Sequence, residues 1–179
     1  MRIVEHRRRA IRRCVALTLA ALLSPVLAYA DVPPAPPKAE PCAAKESRQF
    51  DFWIGDWNVI DPAGKVAGHN RIEAILGGCA LAEHWDGAGG GHGASYNAYD
   101  AVTKTWQQFW VDKQGGVLHL EGAFDGERMA LRSTRPGAHV DRITWTPNKD
   151  GTVRQLWETS EDGGKTWTTS FDGRYERTR

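Results

Sequence analysis

FDFWIGDW, residues 50–57, is the segment from which the architecture of this chain is most directly predicted. It groups four aromatic side chains around a Gly-Asp turn, between a proline-rich segment and a long series of alternating apolar segments. Phe50, Trp53 and Ile54 fall at a helical spacing, so residues 43–53 are predicted to contain a short helical plug. The segment therefore indicates the entrance to a closed β-barrel.

The sequence after residue 57 is typical of an all-β protein. Short segments rich in β-branched and aromatic residues are separated by Gly, Asp and Asn at intervals of about 8 to 12 residues. Turns such as 61–64 and 148–151 suit tight hairpins, because Gly and Asn accept a positive φ. We expect a single antiparallel up-and-down β-barrel of about ten strands, since closure removes exposed sheet edges, with a two-sheet sandwich as the alternative. The predicted strands are 57–60, 68–76, 80–85, 94–100, 105–112, 117–124, 127–134, 140–146, 153–160 and 166–177.

Residues 1–30 have the form of a secretory signal peptide. Five arginines between residues 7 and 13 precede an apolar run at 14–27, and residues 28–30, Ala-Tyr-Ala, have the small-x-small pattern of a cleavage site. The run is shorter than the roughly 20 residues that span a bilayer, so no stable membrane insertion is expected after cleavage. We predict a periplasmic or secreted protein cleaved after Ala30; an uncleaved anchor is the alternative, and a twin-arginine export route is less favoured than the general one.

The remainder divides into a linker and one domain. Residues 31–45 contain five prolines, a composition typical of extended chain, and residues 46–179 are long enough for one domain with a proper core. Residues 1–30 carry six Arg and one Glu, so the chain's net charge of +1 leaves −4 after their removal. Basic and acidic residues alternate along the rest, which argues against a nucleic-acid partner.

Two cysteines remain after the leader, Cys42 and Cys79. An exported protein meets an oxidising environment, so we predict a disulfide between them, with two unpaired thiols as the alternative. Neither belongs to a CxxC pair, which argues against thiol chemistry. The histidines show no HxH or HExxH spacing, so no metal and no cofactor are predicted.

A polar cluster is predicted inside the barrel. Because side chains two residues apart share a face of a strand, Glu83 lies on the same side as Leu81 and Trp85. An unpaired carboxylate buried there costs several kcal/mol, so Glu83 needs a partner. The polar residues either orient a small ligand or satisfy the backbone and one another. The candidate ligand-binding residues are Glu83, Trp85, Asn97, Tyr99, Gln155 and Trp157.

The same alternation assigns the ordinary core. For strand 105–112 both faces are partly apolar, so Trp106 and Trp110 are left without an assigned side. Residues 160–167 match the Asp-box pattern S-x-D-x-G-x-T-W, a hairpin element in which Trp167 is expected to anchor the turn in the core. The residues predicted to point inward are Ile72, Ala74, Leu76, Leu118, Leu120, Phe124, Met129, Leu131, Ile143, Trp145, Trp167, Phe171 and Tyr175.

The segment 50–177 resembles a bacterial family of secreted domains, domain of unknown function 1579. The resemblance implies a lipocalin-like barrel, and Gly55-Asp56-Trp57 is similar to the Gly-x-Trp that begins calycin barrels. It implies no activity and no catalytic residue. The matching stretches are FDFWIGDWNV (50–59), NRIEAILGGCALAEHWDG (70–87), YNAYDAVTKTWQQFWVD (96–112), RITWTPNKDGTVRQLWETSEDGGKTW (142–167) and FDGRYER (171–177).

Three functions fit these observations. The first is a binder of a small, mostly apolar molecule held inside the barrel. The second is an enzyme that acts on a small molecule with Glu83 as acid or base. The third is an interaction module with an exposed aromatic surface, around Trp106 and Trp110 or around residues 50–53. No catalytic residue is assigned, and the oligomeric state is left open.

Overall fold

The computed structural model describes residues 41–178, which form a closed barrel of ten antiparallel strands. Each strand pairs with its neighbours in chain order, and the last strand closes onto the first. The predicted up-and-down barrel is confirmed, and the sandwich is excluded. The predicted signal peptide and most of the linker lie outside the described residues. The strands are β1 (Gly55–Ile60), β2 (Val66–Ile75), β3 (Ala80–Gly87), β4 (His92–Asp100), β5 (Thr105–Asp112), β6 (Val117–Phe124), β7 (Met129–Ser133), β8 (Val140–Pro147), β9 (Val153–Ser160) and β10 (Thr168–Arg177).

Two 3-10 turns, Lys45–Arg48 and Asp51–Trp53, precede β1 and form the N-terminal plug, residues 45–53. The plug closes one end of the barrel, which we call the closed end. Phe50 is fully buried and stacks on Trp53 at 4.9 Å between ring centroids. The edges of Trp106 and Trp145 meet Phe50 at 5.5 and 5.1 Å. These offset and edge-to-face contacts are the favoured arrangements for aromatic rings. The predicted plug is confirmed, and its aromatic side chains fill this end of the barrel.

A clasp between the first and last strands holds the plug in place. The Arg177 guanidinium lies over the Trp57 ring, 4.3 Å from its centroid, and donates a hydrogen bond to the Ile54 carbonyl at 3.2 Å. Trp57 Nε1 donates to the Trp53 carbonyl at 2.9 Å. Gly55 is needed beneath this clasp, because it has a φ of 149° and a Cβ there would lie 2.4 Å from Arg177 Nη1. The start of β1 is therefore built around the end of β10.

The predicted disulfide between Cys42 and Cys79 is present, with Cα atoms 5.1 Å apart. It joins the chain just before the N-terminal plug to the turn between β2 and β3. On the loop-entropy model such a link stabilises by about 3 to 4 kcal/mol. No helix within residues 41–178 has the length and apolar character needed to cross a membrane.

The side chains predicted to point inward do so along most strands, except at the end of β2 and just before β10. Ile72 is buried as expected, but Ala74 and Leu76 are exposed, because β2 continues past the closed end before the chain turns. Trp167 lies on the outer face, 4.1 Å beneath the Arg142 guanidinium, and not in the core. A β-bulge between Thr169 and Phe171 reverses the alternation there, so the phase that holds for Phe171 does not extend back to Trp167.

The aromatic surface expected around Trp106, Trp110 or residues 50–53 is not exposed. Trp106, Phe50 and Trp53 are fully or almost fully buried, and Trp110 is half-buried inside the barrel. Trp106, Gln108 and Trp110 share the inner face of β5. The exposed apolar side chains of β4 and β5 are instead Tyr96, Phe109 and Val111.

Candidate functional site

A cavity of about 190 Å³ occupies the half of the barrel opposite the N-terminal plug. Its floor is Trp145, the ring that also contacts Phe50 of the plug. The polar residues that line it are Glu83, Gln108, Gln155 and Ser170. The aromatic side chains in the wall are Trp85, Trp110, Trp145, Trp157, Phe171 and Tyr175.

Two glycines keep this space open. A Cβ on Gly93 would lie 2.2 Å from the Trp110 ring, and a Cβ on Gly68 would lie 2.7 Å from the Trp85 ring. Both indoles therefore pack directly over the backbone of a neighbouring strand and leave the middle of the barrel free. Glycine is placed where a ring must approach the backbone this closely.

Glu83 is the ionisable centre of the cavity. It points inward from β3 and is 4% exposed. Its Oε1 accepts a hydrogen bond from Asn70 Nδ2 at 2.8 Å, and its Oε2 accepts one from Ser95 Oγ at 2.6 Å. Burial raises the pKa of the Glu83 carboxyl to about 7, against the opposing effect of these two hydrogen bonds. The sequence-based placement of Glu83 on the inner face is confirmed, and both of its partners are neutral.

One arm of hydrogen bonds continues from Ser95 along β4 and β5. Asn97 Nδ2 donates to Ser95 Oγ at 2.9 Å, and Gln108 Nε2 donates to Asn97 Oδ1 at 2.8 Å. All three residues are buried. This arm fixes the Ser95 hydroxyl as a donor to Glu83 and holds the Gln108 side chain against the cavity wall.

A second arm connects Glu83 to the far side of the barrel. Asn70 Nδ2 also donates to the Tyr175 hydroxyl at 3.1 Å, and that hydroxyl donates to Gln155 Oε1. Burial and the nearby Glu83 carboxyl raise the pKa of Tyr175 well above its ordinary value. Tyr175 is therefore neutral at physiological pH and serves to orient Gln155.

The indole N–H groups of the wall differ in their partners. Trp157 Nε1 donates to Asp141 Oδ1 at 2.9 Å, which holds that ring in one orientation. Trp53 and Trp145 each have a buried indole N–H without an acceptor among the described residues, and of these two Trp145 lines the cavity. An unpaired buried donor costs free energy, and the close packing of both rings offsets that cost.

A wider surface depression of about 770 Å³ adjoins the cavity. It lies between the loops at 113–116 and 134–139, and it shares three lining residues with the cavity: Trp110, Leu118 and Trp157. These three half-buried side chains lie where the cavity and the depression meet. The depression is thus the approach to the interior.

The candidate residues chosen from the sequence divide into two groups. Glu83, Trp85, Gln155 and Trp157 line the cavity. Asn97 is buried in the hydrogen-bond network behind Gln108 and does not line the cavity. Tyr99 packs against Trp106 near the closed end, with ring centroids 6.3 Å apart, and also lies away from it.

Several lining or network residues were missed by the sequence interpretation. Asn70 stands two positions before the buried Ile72, so alternation alone predicts its inward position. Gln108 lies between two inward tryptophans on a strand whose faces the sequence left unassigned. Tyr175 and Trp145 were predicted as ordinary core, since nothing in their local sequence distinguishes a ring that packs in the core from one that borders a void.

Within residues 41–178, no group of three or more His, Cys, Asp or Glu side chains is arranged to hold a metal ion. Comparison of the chain with protein-family models and with curated proteins finds no match.

Proposed function

We propose that this chain is an exported protein whose barrel binds one small, mainly apolar molecule. The observation that carries the proposal is the cavity beside Glu83, an aromatic-walled space with a few convergent polar groups. Such a combination is typical of ligand sites, where apolar contacts provide affinity and polar contacts set orientation. The Cys42–Cys79 disulfide and the pattern of residues 1–30 support export. The quoted motifs support a further proposal, membership of the family known as domain of unknown function 1579.

The size of the cavity limits the ligand. A dry cavity of about 150 Å³ in a protein core is known to admit benzene, and this cavity measures about 190 Å³. The part of the ligand held inside the cavity is therefore one ring with a short substituent, and a tetrapyrrole does not fit inside unless the wall moves. Its polar atom faces Glu83 or Gln155, two polar side chains that line the cavity.

An enzyme that uses Glu83 is the second candidate, because a carboxyl with a pKa of about 7 suits general acid–base chemistry near neutral pH. Two observations favour binding over catalysis. Ser95, the hydroxyl that contacts Glu83, does not line the cavity. Tyr175, the other titratable lining group, stays protonated. Its hydroxyl already donates to Gln155, and the other lining hydroxyl, Ser170 Oγ, is hydrogen-bonded to Thr159 Oγ1 at 3.0 Å and has no base beside it.

Native mass spectrometry of the exported protein, followed by denaturing mass spectrometry, tests this proposal. We expect a non-covalent adduct of low mass that is lost on denaturation. Gly93→Ala should abolish the adduct, because the new methyl group displaces the Trp110 ring into the cavity. Gly89→Ala is the matched control, since a Cβ at Gly89 meets no atom within 4 Å. An adduct that survives equally in both variants would place the ligand outside the cavity and overturn the proposal.

A further inference from the structure

The charge of the cavity is unbalanced. Among the described residues that line it there is one carboxyl, Glu83, and no Lys, Arg or His. Glu83 is hydrogen-bonded only to the amide of Asn70 and the hydroxyl of Ser95. An ionised carboxylate has about four lone-pair sites, and these two donors fill two of them. The ionised side chain therefore lacks a positive partner and still has room to accept further hydrogen bonds.

The remaining walls are also suited to a positive charge. The indole rings of Trp85 and Trp110 lie against Gly68 and Gly93, and both rings line the cavity. The face of an aromatic ring carries negative electrostatic potential, and that of Trp attracts cations most strongly. A ring of aromatic faces closed by one carboxylate is the arrangement by which proteins hold ammonium groups.

We propose that the ligand is a small organic cation, a one-ring aralkyl ammonium whose positive charge lies between the Glu83 carboxylate and the indole faces of Trp85 and Trp110. This inference rests on the proposed binding function and names the ligand class. The ammonium N–H groups donate to the open lone pairs of Glu83, while the ring of the ligand fills the apolar space above Trp145. No bond is made or broken.

The proposal predicts how the affinity for the cation changes with pH. The cation requires ionised Glu83, whose pKa in the empty cavity is raised to about 7 by burial. Affinity should therefore fall as the pH decreases through 7, by about tenfold between pH 8 and pH 6. The other titratable group that faces Glu83 is Tyr175 on β10, which is neutral throughout this range. The groups that face Glu83 from β2 and β4, Asn70 and Ser95, do not titrate.

Three probes of matched shape test the inference: benzylammonium, benzyl alcohol and benzoate. Binding of each is measured by isothermal titration calorimetry at pH 8 and pH 6, on the exported protein with its disulfide intact. We expect benzylammonium to bind at least about tenfold more tightly than benzyl alcohol at pH 8, and benzoate to bind weakest. Glu83→Gln keeps the shape of the side chain, and it should equalise benzylammonium and benzyl alcohol and remove the pH dependence.

The outcomes separate the two proposals. If benzyl alcohol binds as tightly as benzylammonium, or if affinity for benzylammonium rises on acidification, the cation is wrong and the cavity remains a binding site for neutral molecules. If none of the three probes binds, and the exported protein carries no adduct, the binding function itself is overturned. These comparisons on the unmodified protein stand even if Glu83→Gln fails to fold.

Discussion

The two ends of this barrel are both built from aromatic side chains, but these side chains pack against different neighbours. At the closed end, Phe50 and Trp53 of the N-terminal plug pack ring against ring and leave no space. At the opposite end, the indoles of Trp85 and Trp110 lie on glycines, and the centre stays open beside Glu83. The aromatic content of a barrel therefore does not decide whether it is filled. What decides it is whether each ring packs against another ring or against the backbone of a glycine.

Truncation of one tryptophan at each end should give the largest contrast between them. Trp53→Ala should lower the free energy of unfolding by about 4 to 5 kcal/mol, because a fully buried ring leaves a void among other rings. Trp157→Ala should cost only about 2 kcal/mol, because its half-buried ring already borders an open space and the main loss is the hydrogen bond to the buried Asp141. Urea unfolding of the two variants measures the difference. Equal losses would show that the two ends are packed alike.

The disulfide tests how far the closed end depends on the plug. The double variant Cys42→Ser, Cys79→Ser should lose about 3 to 4 kcal/mol of unfolding free energy through the larger entropy of its unfolded chain. Ligand affinity should be unchanged, since the bridge lies at the other end from Glu83. The measurement is urea unfolding together with calorimetric titration of benzylammonium. A large loss of affinity with a small loss of stability would contradict this division of roles.

Ionisation of Glu83 should lower the free energy of unfolding at neutral pH. Its pKa is about 7 in the folded chain and 4.5 in the unfolded chain, so between these values the folded chain binds more protons than the unfolded chain. Stability should therefore fall by about 3 kcal/mol as the pH rises from 4.5 through 7. Glu83→Gln should lack this decline and be the more stable protein at pH 8. Thermal unfolding of both proteins across this range measures the effect, and parallel curves would disprove the buried titration.

A substitution in the clasp should have a smaller effect than the changes at Trp53, the disulfide and Glu83. Gly55→Ala should destabilise by about 2 kcal/mol, because alanine is strained at this φ and its methyl group displaces Arg177 from Trp57. Gly89→Ala, where a methyl group meets nothing, is the control and should be neutral within about 0.5 kcal/mol. Differential scanning calorimetry resolves the two. Similar melting temperatures would mean that the end of β10 tolerates a shifted Arg177.

Alternation predicted the inward position of Glu83, because the face of a side chain on a regular strand depends only on its neighbours in sequence. The same rule failed at Trp167, where a bulge shifts the register, and at Leu76, where the strand has left the barrel. Neither the bulge nor the end of the strand can be recognised from the local alternation of apolar and polar residues. The same rule places Asn70 on the inner face, but its hydrogen bond to Tyr175 could not be predicted, because the two residues are 105 positions apart in sequence.

Local sequence was sufficient to predict the number of strands, their antiparallel order, the N-terminal plug and the pairing of Cys42 with Cys79. These features follow from the local period of apolar residues, from turn chemistry and from the presence of only two cysteines after residue 30. The cavity, and the position of Glu83 in it without a cation, emerge only in the folded barrel. The volume left inside a barrel depends on how rings from distant strands pack against one another and against glycines, and no single segment carries that information.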